Sequence, residues 1–595
     1  MTSYAAPLRD MQFLLYDVLD VSKYSNLPGF ADASRDVVDA ILEEGGKFAS
    51  NVLHPLNHSG DKEGCTRHPD GSVTTPKGFK DAYNIYREGG WQGLSADPDF
   101  GGQGLPYVLA MAVSEMVSAA NMAFGMYPGL ARGAADAIHV HGTSEQKRAY
   151  LPKMIAGEWG GTMNLTEAHC GTDLGLLKSK AVPQADGSYR ITGTKIFISA
   201  GEHDLTENII HLVLARIEGA PEGVKGISLF IAPKFLVNKD GSLGARNGVS
   251  CGSIEEKMGI HANSTCVMNF DDATGYLLGE ANKGLKAMFT MMNEARLGVA
   301  MQGMAISEVS YQNGAAYAKE RLQGRALSGP AAPDKPADPI IVHPDVRRML
   351  LDHKAFTEGA RAFMYWTALK ADLHHKSADE GERQKADDYL GLMTPILKAY
   401  LTEKAYWHAT NAQQVLGGHG YIAESGMEQF VRDARIAMIY EGANGVQALD
   451  LVGRKLMKDG GRAWQAYFAE LDEFIADNQD KELKPFVDGL SSAKADLVEA
   501  TQWMAANAMQ DFNHAGAGSM DYLHLFALTA LAYSWAQMAR TAIEKKKAGD
   551  KDAFFENKLK TGRYFLDRVL PDAKAHLAKL KSGAASMMAL PAEAF

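Results

Sequence analysis

Apolar positions recur at helical spacing at both ends of this chain and change to short strand-like runs in the middle. Phe13, Leu14, Tyr16, Val18 and Leu19 predict an early amphipathic helix, and Val37, Val38, Ala40, Ile41, Leu42, Phe48 and Val52 a second. A glycine- and proline-rich turn region over 89–106 precedes an alanine- and methionine-rich, buried helix over 107–126. Strands are expected at 190–192, 195–199, 209–217, 227–231 and 265–270, separated by Gly, Pro, Asn and Asp. No helix-length pattern interrupts them, which predicts an antiparallel sheet closed into a small barrel or sandwich. Helices return at 287–318, 344–371, 386–418, 427–440 and 446–457, enough for an antiparallel bundle, with an ordered prolyl loop over 327–344. Beyond 458, Leu523, Phe526, Leu531, Trp535 and Met538 trace one buried face of a further helical region. The expected organisation is α+β, mostly α: a helical region 1–159, a β-region 160–283, a bundle 284–457 and an additional helical region 458–595.

Composition narrows the class. The 595 residues, 46% hydrophobic and 22% charged, supply several ordinary globular domains. A net charge of -11, with no basic stripe, argues against a nucleic-acid partner. Four cysteines without a CxxC pair predict a reducing compartment, neither disulfide framework nor zinc knuckle. The N-terminus does not read as a signal peptide, and no apolar run reaches membrane-spanning length. A cytoplasmic protein is expected. His139 and His141 lack a Glu or Cys at ligand spacing and read as helix-end residues, so no metal is expected.

The stretch with the most chemistry runs from 411 to 447. A helix ends near Leu416, Gly417, Gly418 and Gly420 free the backbone, and a helical pattern resumes at Met427. It breaks at Glu441, between Tyr440 and Gly442 and just after the apolar run 436–439. Such a carboxylate is partly desolvated, which raises its pKa above the reference of about 4.3. From spacing alone Glu441 either caps the next helix, faces water, or is a base.

GGHGYIAESGMEQFVRDARIAMIYEG, over 417–442, resembles the acyl-CoA dehydrogenase family in its QxxGGxGY, RDA and YEG elements, in order and spacing. The resemblance implies the family's fold: an N-terminal helical domain, a central antiparallel β-domain and a four-helix bundle, here followed by an extra domain. It also implies FAD as cofactor and Glu441 as catalytic base. MNLTEAHCGTDLG is similar to the family's flavin-holding element. Thr166 matches the threonine bonded to the isoalloxazine edge, Thr172 the serine on the pyrophosphate, and Met163 and Leu165 positions flanking the ring. In ITGTKIFISAG, Phe197 takes the place of the aromatic against the flavin and Ser199 that of a hydroxyl on a ring nitrogen. Cys170 reads as packing rather than as a nucleophile. Arg321, Gln414, Gly417 and Gly418 match positions along the adenosine diphosphate half of a neighbouring subunit's flavin. Arg296, Asn293, Tyr440 and Gly442 match positions at the acyl-CoA. The family's aromatic after Arg321 is replaced by Leu322-Gln323-Gly324. Its threonine and glutamine after the base are replaced by Ala443 and Gly445, which removes two contacts at the adenine end.

The implied reaction is α,β-dehydrogenation of an acyl-CoA thioester, the backbone N–H of Glu441 and a ribityl hydroxyl supporting the carbonyl oxygen. Electron-transfer flavoprotein is the implied acceptor. LPGFADASRDVVDAILEE, NEARLGVAMQG and DKPADPIIVHPDVRR further resemble the family's 3-methylthiopropanoyl-CoA group, whose substrate arises from dimethylsulfoniopropionate. General fatty acyl-CoA dehydrogenation, an oxidase and a non-catalytic binding scaffold are the alternatives. The extra domain is expected to leave a homodimer rather than a tetramer.

Overall fold

The computed structural model describes residues 2–595. The chain divides into two compact units, one of residues 41–298 and one of residues 1–40 with 299–595.

In the first unit, helices α1 (Tyr107–Ala120) and α2 (Met122–His141) are buried over most of their surface, as near-continuous apolar composition requires. Asn121 divides them. Its extended backbone stops α1, and its side-chain oxygen accepts the Phe124 N–H at 3.0 Å to start α2. Seven strands of one sheet follow: β1 (Trp159–Asn164), β2 (Lys180–Pro183), β3 (Tyr189–Ser199), β4 (Asn208–Ile217), β5 (Ile227–Pro233), β6 (Val249–Ile254) and β7 (Thr265–Leu278). Pairings β3–β2–β4–β5–β7 return to β3, so five strands close a small barrel, with β1 added on β4 and β6 on β7.

The barrel bears out the expected strand block, but its pairing is not wholly antiparallel. Both β1 and β2 run parallel to β4. Parallel neighbours need a long crossover, usually helical. Here the crossover from β1 to β4 is made of β2, β3 and their loops, so no helical pattern announces it. Alternate residues of β4 sort cleanly: Ile210, Leu212 and Leu214 pack with Ala134 and Ile138 of α2, while Val213 and Ala215 join Ile191, Phe230 and Met268 in a second core. The close approach of α2 to β1 requires Gly161, because a Cβ there would stand 2.7 Å from the Ala134 methyl.

Helix α3 (Gly284–Glu320) gives its first turns to this unit and its remainder to the second. There it joins α4 (Pro344–Lys376), α5 (Glu380–Val415), α6 (Met427–Ala437) and α7 (Asn444–Asp450). The added region contributes α8 (Lys484–Ala508), α9 (Phe512–Lys547), α10 (Ala553–Tyr564) and α11 (Asp572–Lys581). The expectation of one buried face on α9 is too narrow: from Tyr522 to Ala536 it is buried all round, since α4, α8, α10 and α11 pack on it. Trp535 of α9 donates its indole N–H to the Ala355 carbonyl of α4 at 3.2 Å.

The segment 1–40 is fixed to this unit by buried charge. Asp10 pairs with Arg361 of α4 at 2.5 Å and with Lys558 of α10; Lys558 also reaches Glu358 at 2.7 Å, and Arg361 reaches Glu308 of α3 at 2.9 Å. Burial alone would raise the Asp10 carboxyl, but the two cations bring it down to about 2. Among the described residues no helix is long and apolar enough to cross a membrane.

Candidate active site

Glu441 stands in the turn between α6 and α7 with φ 57°, followed by Gly442 at φ 87°. Left-handed backbone is natural for glycine, but for a glutamate it costs about 1–3 kcal/mol and needs support from its surroundings. That support comes from α5 and α7. Lys398, whose side chain is fully buried, donates to the Gly442 carbonyl at 2.7 Å and to Asn444 Oδ1 at 3.0 Å. Asn444 Nδ2 donates to the Ala399 carbonyl at 3.0 Å, and its backbone N–H to the Met438 carbonyl at 3.1 Å. Gln447 Nε2 spans the Glu441 and Gly442 carbonyls at 3.1 and 3.3 Å. The cap position of α7 is Ala443, not Glu441, so the capping reading falls away. The Glu441 side chain is half-buried. Before it, Tyr440 donates to Gln302 Oε1 at 2.5 Å, and burial raises its phenol above the ordinary value.

Sequence reasoning missed Lys398, Asn444 and Gln447. The available signal was one lysine inside the apolar run LMTPILKAYL of α5. Replacing Asn444 by Ala takes an acceptor from a buried ammonium. The variant is expected to lose about 1–3 kcal/mol, read as a lowered urea midpoint.

In the first unit, residues 165–167 are tied to β3. The Ile196 N–H donates to the Thr166 carbonyl at 2.9 Å, and Lys195 Nζ donates to the Leu165 carbonyl at 3.1 Å and to Glu167 Oε1 at 2.9 Å. Residues 195–198 span only Cys266–Met268 on β7, so β3 bulges at Phe197. Phe197 there has φ 59° and is 60% exposed, a large apolar ring turned outward. Ser199 lies opposite Thr265. Met163 and Leu165 are partly buried against the core, and Thr172 is exposed before the turn that Asp173 caps. Arg296 is buried near Phe289, and Asn293 is exposed.

Cys170 packs in the core, as expected, and burial raises its thiol, which disfavours the nucleophilic thiolate. Its neighbours Glu167 and His169 come within ligand distance of it. However, both Glu167 oxygens already accept from Lys195, Ser179 and Lys178, and His169 Nε2 lies 3.0 Å from the Leu176 carbonyl. His139 faces Asp97 and His141 faces Thr290, each at 2.8 Å.

In the second unit the helix that ends just before Arg321 meets the glycine cluster through Tyr317. Tyr317, one helical turn before Arg321 on α3, shares a 3.2 Å hydrogen bond with His419 Nδ1. Gln414, Gly417 and Gly418 are exposed, and a Cβ at either glycine would meet no atom within 4 Å. The prolyl loop is ordered, as expected. Buried Asp338 accepts the N–H groups of Ala326, Ala331 and Ala332, and Ile340 donates to the Arg321 carbonyl at 2.8 Å.

Family models match nearly the whole chain: the acyl-CoA dehydrogenase N-terminal domain over 39–158, the middle domain over 162–273 and the C-terminal domain over 282–457. An acetyl-CoA dehydrogenase C-terminal-like model matches 467–591. This chain belongs to the acyl-CoA dehydrogenase family. It is 42% identical to the 3-methylmercaptopropionyl-CoA dehydrogenase of Ruegeria pomeroyi, over 98% of this chain and 99% of the relative. A butyryl-CoA dehydrogenase of Syntrophomonas wolfei is 34% identical over 100% and 99%. The fold matches Caenorhabditis elegans ACDH-11, solved with C11-CoA, with TM-score 0.77 and 19% identity over 95% of this chain and 91% of that one.

The family consists of FAD enzymes, and FAD is the cofactor of this one. The residues present suit it. Phe197 offers an uncovered ring face, Gly417 and Gly418 leave backbone open to close approach, and Arg321 stays exposed for a phosphate fork. The protein is an acyl-CoA dehydrogenase, a flavin-dependent oxidoreductase.

Proposed function

We propose that this enzyme dehydrogenates 3-(methylthio)propanoyl-CoA to 3-(methylthio)acryloyl-CoA, a step in the breakdown of dimethylsulfoniopropionate. The likeness to the Ruegeria relative, which extends through the added C-terminal region, supports that substrate. One observation carries the chemistry: a glutamate held in left-handed backbone by a buried lysine and two amide side chains. A fixed carboxylate of this kind suits removal of the proton from the carbon beside the thioester carbonyl. The Glu441 backbone N–H supports the carbonyl oxygen as charge develops on it. Tyr440, Gly442, Arg296 and Asn293 bound the thioester, and Thr166, Phe197, Ser199, Met163, Leu165 and Thr172 hold the cofactor. When bound, FAD accepts the hydride from the β-carbon. Electron-transfer flavoprotein then receives the electrons. Arg321, Gln414, Gly417 and Gly418 serve the cofactor of a neighbouring copy, which makes the working form a homodimer.

Straight-chain acyl-CoA is the second reading, favoured by the butyryl-CoA relative. Steady-state kcat/KM with the methylthio, butanoyl and octanoyl thioesters separates them. The methylthio compound is expected to rank first by about tenfold or more, the scale of a modest pocket preference. A higher value for butanoyl- or octanoyl-CoA overturns the substrate assignment and leaves the reaction type standing.

A further inference from the structure

Lys195 has no exposed surface, yet it carries an ammonium in the middle of β3. Taking that charge from water is expensive unless it is paired and hydrogen-bonded. Here it faces the Leu165 carbonyl and Glu167, and Glu167 is itself 5% exposed and accepts further hydrogen bonds from the Ser179 N–H at 3.0 Å, the Ser179 hydroxyl at 2.6 Å and the Lys178 N–H at 2.8 Å. A plain loop anchor needs far less. The arrangement pins three consecutive residues, 165, 166 and 167, to two consecutive residues of β3, 195 and 196. The next residue of that strand is the outward-facing, left-handed Phe197.

We infer that Lys195 is a positioning residue for the cofactor site, locking Thr166 and Phe197 into one rigid platform for the flavin ring by way of Glu167. The inference rests on the FAD-contact reading of Thr166 and Phe197 given under Proposed function. The groups facing the ammonium are Glu167 and Cys170, whose thiol burial keeps protonated. Desolvation pushes Lys195 down to about 8, while its pairing and hydrogen bonds bring Glu167 to about 2. The charge pair is therefore intact below about pH 8 and is lost as pH rises through that value.

The test uses full-length holoenzyme, wild type and the double variant Lys195→Met with Glu167→Gln, which leaves no buried charge unpaired. FAD release is followed by flavin fluorescence, the flavin midpoint potential by dye equilibration and the fold by thermal unfolding. Wild type is expected to release FAD faster as pH rises past about 8. The double variant should unfold near the wild-type temperature, release FAD about tenfold faster at neutral pH, a scale set by lost hydrogen bonds to a charged group, and show no such pH step. A changed potential would mark a displaced ring. Wild-type release and potential in the double variant overturn the inference, as does a pH-independent release rate in the wild type should the variant not fold. Thr166→Ala and Phe197→Ala variants that bind FAD as the wild type does would instead remove the contact reading on which it rests.

Discussion

Glu441→Gln is expected to retain the fold, FAD and tight acyl-CoA binding but to lose turnover by about 10²–10⁴-fold or more, the share a positioned general base supplies. The amide keeps the length of the side chain and the turn keeps its scaffold. Lys398 and Gln447 hold the carbonyls of residues 441 and 442, and Asn444 in turn holds the Lys398 ammonium. A fall in kcat with unchanged KM, measured at saturating acceptor, is the expected signature of an interaction needed only in the transition state. Retained turnover in the Gln variant would assign the base elsewhere.

Lys558→Met is expected to cost about 3–5 kcal/mol of stability, the loss found when one member of a buried ionic cluster is removed. The ammonium is 2% exposed and lies against both Asp10 and Glu358. Its removal leaves two carboxylates in a dry region, Asp10 facing Arg361 and Glu358 facing Lys354. Urea denaturation should show a lowered midpoint with the slope unchanged. Because the cluster joins segment 1–40, the bundle and the added region, wild type should lose all three in one transition. The pH dependence has a definite sign. The Asp10 carboxyl is depressed from its ordinary 3.8 to about 2, so its contribution is full above about pH 4 and is lost as pH falls toward 2. Asp10→Asn should flatten that acid limb.

These two sites were unequally legible in the chain. Glu441 stood out because YEG follows GGHGY and RDA in the order and spacing of the family resemblance, and its left-handed backbone did not, because nothing about a glutamate advertises that conformation. The tie to Lys398 was hidden for a related reason: a lysine within an apolar helix reads as a solvated exception until its acceptors are seen. Strands β3, β4, β5 and β7 were legible from β-branched alternation. β1, spelled WGGTMN, was not, since Gly161 admits α2 and Gly160 lies close against His203 and Thr206, where neither favours a strand. Segment 1–40 reads locally as a helical start to the chain, and only long-range pairing such as Asp10 with Lys558 assigns it to the unit of the bundle. The helix α9 read as amphipathic because its polar residues, among them Thr529 and Ser534, satisfy backbone carbonyls one turn back and can be buried without penalty.

The most direct measurement is an anaerobic titration of the purified holoenzyme with 3-(methylthio)propanoyl-CoA, following the visible flavin band and the enoyl-CoA formed. The band is expected to bleach as product accumulates in proportion, in the wild type and not in Glu441→Gln. A flavin that stays oxidised with the thioester bound, or a Glu441→Gln protein that bleaches as the wild type does, would contradict it.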